Sequence, residues 1–153
     1  MDHVTDPNMA NVYANESRIA LCYGYKKQID FMDTDLNLIK RLTFQHASPD
    51  VITDYDNATQ TYTTGYFGKR YLYVVFMGTS WNEHKTAASP CGVHLEVFDL
   101  DGNPIARYYL DGIRPVHFAV DEETFTLYGP VRDVDLEDCL VVYKLKGLTT
   151  GKS

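Results

Sequence analysis

The chain has 153 residues, with 21 acidic and 14 basic side chains giving a formal charge of −7, which is the wrong sign for tracking a phosphate backbone. Aromatic residues make up 13%, including twelve tyrosines set beside Val, Ile and Thr, a composition that favours strands over helices. No run approaches the ~18 apolar residues of a membrane span, so one all-β domain with neither a nucleic-acid partner nor a membrane span is expected.

Read in chain order, the first candidate strand is Asn11–Ala14, ending in turn-prone Asn15-Glu16-Ser17. Arg18–Tyr25 and the hydrophobic run Ile29–Met32 follow, and beyond a turn at Asp33 an apolar, basic segment continues to Phe44. The second group comprises Thr61–Phe67, a Gly68-Lys69 turn, Tyr71–Met77, the long polar interruption Gly78–Gly92, Leu95–Phe98 and a last segment reaching Leu110. The third comprises Pro115–Val120, the turn residues Asp121–Glu123, Thr124–Tyr128 and Leu140–Leu145. It stops there because Lys146–Ser153 is short, polar and interrupted by glycine, leaving an unpaired outer sheet edge.

These groups are copies of one unit. DTDLNLIKRL from Asp33 aligns without a gap on DLDGNPIARY from Asp99, pairing Asp33 with Asp99, Asp35 with Asp101, Asn37 with Asn103, Ile39 with Ile105 and Arg41 with Arg107. LEVFDL at Leu95 finds a third copy in LVVYKL at Leu140. Four-stranded antiparallel units recurring every ~40–50 residues are the signature of a β-propeller. The expected fold is a single all-β domain over 1–153. It is a partial propeller with blades at about 9–44, 61–110 and 114–145, the last lacking its outer strand.

The runs VFDLDGNPIARYYL and FAVDEETFTLY, together with NMANVYANESRIALCYGYKKQIDFMD, resemble blades of the TolB-like six-bladed β-propeller proteins, a largely uncharacterised bacterial family. The resemblance covers most of the chain and implies the carboxy-terminal half of a six-bladed ring. It also implies an exported or periplasmic full-length protein, although MDHVTDPNMA lacks the basic and then apolar pattern of a signal peptide. Three blades cannot close a ring. The expected partner is therefore a second copy, giving a homodimer of three plus three, or a missing amino-terminal half.

Motifs for chemistry are sparse. The Asp33-x-Asp35-x-Asn37 and Asp99-x-Asp101-x-Asn103 triplets begin like calcium loops, but an EF-hand needs Gly sixth and Glu twelfth, where this chain has Leu38 and Phe44 or Pro104 and Leu110. They read as hairpin turns, with Asp101-Gly102 supplying positive φ. His94 and Glu96 share a strand face, yet two ligands are too few for zinc. Cys22, Cys91 and Cys139 follow neither metal nor disulfide spacing, and Ser80 and Ser89 lie in no nucleophile elbow. No catalytic residue, metal or cofactor is assigned.

Loops on rigid scaffolds carry function, and Gly78–Gly92 holds the only tryptophan. The propeller resemblance sets the second-to-third-strand and inter-blade connections at one end of the channel. Trp81, His84 and Lys85 then share a mouth with Asp54, Tyr55 and Asp56, with Arg114, and with Arg132. Trp81, His84, Lys85, Tyr55, Arg114 and Arg132 form the candidate ligand-binding set, suited to a sugar or peptide through stacking and charged hydrogen bonds. The expected function is a non-catalytic binding or scaffold module for a peptide, protein or glycan. The alternative is a metal-assisted hydrolase or lactonase-like enzyme completed by dimerisation, using Asp54, Asp56, Asn82 and Glu83.

Overall fold

The computed structural model describes residues 6–44, 54, 56–86, 93–110, 115–130 and 139–149, without the side chains of residues 84–86. Among them lie eleven strands and one helix. The first sheet is β1 (Ala10–Ala14), β2 (Ile19–Tyr23), β3 (Gln28–Met32) and β4 (Leu38–Thr43), antiparallel in sequence order. The second is β5 (Tyr62–Phe67), β6 (Tyr71–Phe76), β7 (His94–Asp99) and β8 (Pro104–Tyr109), with α1 (Trp81–Thr86) between β6 and β7. The third has β9 (Ala119–Asp121), β10 (Thr126–Pro130) and β11 (Leu140–Lys144).

The second sheet lies between the other two. Its strand β6 reads YLYVVF with no polar interruption, as a strand covered on both faces should. Because side chains alternate along a strand, Tyr71, Tyr73 and Val75 pack with Val120, Phe125 and Leu127 of the third sheet. Leu72 and Val74 pack on the other side with Ala20, Cys22, Ile29 and Phe31 of the first. Aromatic rings fix both seams: Phe31 meets Phe67 and Phe98 edge-to-face at centroid distances of 6.4 and 6.1 Å, and Tyr71 meets Phe125 in a tilted pair at 6.0 Å.

The repeated turns are the same structure twice. Asp33 Oδ1 accepts the N–H groups of Asp35 and Asn37, both at 2.9 Å, while Asn37 Nδ2 donates to Asp33 Oδ2 at 3.1 Å. Asp99 repeats this with Asp101 and Asn103, all three bonds at 2.9 Å. The left-handed position is Gly102 (φ 82°) in one copy and Leu36 (φ 67°) in the other. Ladder irregularities also recur at matched places, Phe31/Met32 and Val97/Phe98.

Two details depart from the sequence reading. The third sheet's first strand covers Ala119–Asp121 rather than starting at Pro115, because the chain bends over Gly129, where a Cβ would come within 2.7 Å of the His117 carbonyl oxygen. The polar interruption contains α1, started by a capping box in which Glu83 N–H donates to Ser80 Oγ (3.1 Å) and Ser80 N–H to Glu83 Oε1 (3.2 Å).

Candidate functional site

The connection before β5 and the one holding α1 are bound together. Asn82 N–H donates to the Asp56 carbonyl (3.0 Å) and Asn82 Nδ2 to Asn57 Oδ1 (2.8 Å), while Gly78 N–H donates to the Gln60 carbonyl (2.8 Å). Thr61 adds the first sheet's β2–β3 turn, its N–H reaching the Gly24 carbonyl at 2.8 Å and its Oγ1 the Tyr23 carbonyl at 2.7 Å. A cavity of about 350 Å³ opens at this end beside the first strands of the first two sheets and the stretch leading into the third, lined by Asn11, Gln60, Tyr62, Thr63, Trp81 and Val116 among others. Among the described residues, none in its lining carries a formal charge. Gln60 is buried in the wall, and Thr63 Oγ1 is buried with no hydrogen-bond partner among the described residues.

Of the sequence-derived set, Trp81 lies in this wall. His84 and Lys85 belong to α1, whose backbone alone is described at those positions, and Tyr55, Arg114 and Arg132 fall outside the described residues. The acidic alternative set is dispersed in its bonding: Asp54 Oδ2 accepts Asn57 Nδ2 at 2.6 Å, and Glu83 closes the helix cap. Among the described residues, no group of three or more His, Cys, Asp or Glu gathers to hold a metal ion. Asn11, Gln60 and Thr63 escaped the sequence reading because they sit on or beside first strands, where convergence depends on how sheets stack.

Behind Tyr62 lies a buried charge centre. Glu96 Oε1 accepts the Tyr62 hydroxyl at 2.7 Å, and Oε2 lies 2.8 Å from His94 Nε2, 3.2 Å from Lys27 Nζ and 3.5 Å from an Arg107 guanidinium nitrogen. Burial pushes the Glu96 carboxyl up, but hydrogen bonds from His94 and Tyr62 and the Lys27 charge outweigh it and bring it down to about 2. The Tyr62 phenol is driven far above its ordinary range by burial and the adjacent carboxylate. Lys27 also lies 4.4 Å from the centroids of both Phe44 and Phe76. This arrangement ties the first sheet to the second and fixes Tyr62 in the cavity wall.

Consecutive antiparallel sheets stacked face to face, with first strands converging on a shared cavity, define the chain as blades of a β-propeller. It belongs to the TolB-like 6-blade propeller-like family, whose model matches residues 11–123. Among solved structures it is similar to a protein of unknown function from Bacteroides caccae, at 8% identity and a TM-score of 0.44. That match covers 80% of this chain and 38% of the other, so the chain spans well under half the length of that structure. No curated protein matches the chain.

Proposed function

We propose that the chain is a binding module whose ligand seats in the uncharged cavity at the blade mouth. The observation carrying this reading is the combination of an indole, two amide side chains and an unpartnered threonine hydroxyl around about 350 Å³, the chemistry of a small pocket with a few converging polar groups. The described wall residues carry no formal charge in a protein of net charge −7, which favours a neutral ligand, a glycan or an uncharged peptide segment. Tyr55, His84, Lys85, Arg114 and Arg132 belong to neighbouring connections and form its proposed rim. Blades from a second copy, in a homodimer of three plus three, or from an amino-terminal half complete the ring. Turnover through Asp54, Asp56, Asn82 and Glu83 is the weaker reading, since Asp54 and Asn82 are each bonded to Asn57 and Glu83 to the Ser80 backbone.

Trp81 is the only tryptophan, so its fluorescence reports directly on this wall. Titration with neutral oligosaccharides, and separately with uncharged peptides, is expected to give a saturable change with one class that Gln60→Ala and Thr63→Val weaken. A flat response to both classes up to millimolar concentration would reject the proposal.

A further inference from the structure

The second and third sheets are latched by one carboxylate. Glu122, in the turn after β9, accepts the backbone N–H groups of Lys69 (2.6 Å), Arg70 (3.2 Å) and Tyr71 (3.2 Å), and the Tyr73 hydroxyl at 3.0 Å. The receiving turn, Gly68-Lys69-Arg70, is basic and led by glycine. A Cβ at Gly68 would overlap the Glu122 carboxylate, which would have to shift if any other residue stood there.

Glu16 holds the matching place in the first sheet. Asn15 with Arg18, Gly68 with Tyr71 and Asp121 with Thr126 close the three first turns, which sets Asn15, Gly68 and Asp121 at matching places and Glu16, Lys69 and Glu122 next after them. Asn15 and Asp121 even use their Oδ1 identically, each accepting the N–H two residues on at 2.9 Å. Unlike Glu122, Glu16 is exposed and makes no hydrogen bond or ion pair among the described residues.

The sheet face beside Glu16 is also built like a covered one. Register places Asp30 and Arg41 where the second sheet has Glu96 and Arg107, and the latter pair lies on the face packed against the first sheet. Asp30 is only 2% exposed, accepting Arg41 at 2.8 and 3.0 Å and the Tyr23 hydroxyl at 3.0 Å. Val12, 63% exposed, pairs with Leu21 on the same face.

We propose that this face packs against a further propeller blade whose first turn is glycine-led and basic, with Glu16 as the latch. The partner blade comes from a different polypeptide segment, not from the third blade of a second copy. A second copy would present Asp121-Glu122-Glu123 at that position: the glycine is replaced by aspartate, the Glu123 N–H is already taken by Asp121, and the turn is acidic where the receiving turn is basic. Complementary charge is what suppresses wrong partners at such contacts. The inference rests on the ring reading above and chooses between its two sources of blades.

The test is sedimentation velocity of the full chain between about 1 and 100 µM. The wild type is expected to stay monomeric. Asp121→Gly with Glu123→Arg gives the third blade a receiving turn and is expected to strengthen self-association at least about tenfold, a gain that Glu16→Gln removes. Glu16→Lys, at an exposed position without partners, tests the charge component without touching that turn and is also expected to promote association. A wild-type dimer indifferent to Glu16→Gln and Glu16→Lys would overturn the latch while sparing the ring. Monomers in every variant, with unchanged circular dichroism, would likewise overturn the latch.

Discussion

Lys27 Nζ lies 3.2 Å from Glu96 Oε2 across the seam between the first two sheets, and the carboxylate is 5% exposed. The folded-state pKa of Glu96 is depressed to about 2 from an ordinary 4.5. Its contribution is therefore fully present above the unfolded value and is lost as pH falls from about 4.5 toward 2, on the order of 3 kcal/mol in all. Chemical denaturation across that window is expected to show a steep acid limb that Glu96→Gln flattens. Equal slopes for the two proteins would show that the seam does not titrate.

Leu36 adopts φ 67° where the matching turn has Gly102, and its side chain is 68% exposed. Little packing is lost on its removal, so Leu36→Gly is expected to stabilise by up to about 1 kcal/mol, strain relief offsetting the greater flexibility of the unfolded chain. A denaturant midpoint that rises with an unchanged slope is the expected signature.

Gly129 is the opposite case. A Cβ there would lie 2.7 Å from the His117 carbonyl oxygen and 2.9 Å from Pro115 Cβ, and the backbone oxygen cannot swing aside as a long side chain can. Gly129→Ala should cost about 1–3 kcal/mol, as overpacking generally does. Hydrogen exchange should show the loss concentrated in β9 and β10.

Phe98 is 2% exposed and meets Phe31 edge-on at 6.1 Å. Phe98→Ala is expected to cost about 3–5 kcal/mol, the range for a buried aromatic. Trp81 is half-buried in the wall of an open cavity, and Trp81→Ala is expected to change stability by about 1 kcal/mol or less. Comparable losses in thermal unfolding would mean that Trp81 is a packing residue.

What could be read from sequence was what short-range chemistry decides. Asp33 and Asp99 announce their turns because the partners stand two and four residues away, and His94 with Glu96 follows from alternation along one strand. The capping box of Ser80 and Glu83 was equally local, but a six-residue helix in a polar stretch has no apolar stripe to betray it. Lys27 finds Glu96, and Asn11 and Thr63 border the same cavity as Trp81, only after whole sheets have stacked. Neither pattern nor composition encodes such meetings.

Both faces of β6 are consumed, one by each neighbour, and the described cores form two clusters, one on each face of the middle sheet. The middle sheet therefore works like the spine of a book between two covers. Detaching one cover leaves the other bound, whereas loosening the spine releases both. The slowest-exchanging amides are therefore expected in Tyr71–Phe76.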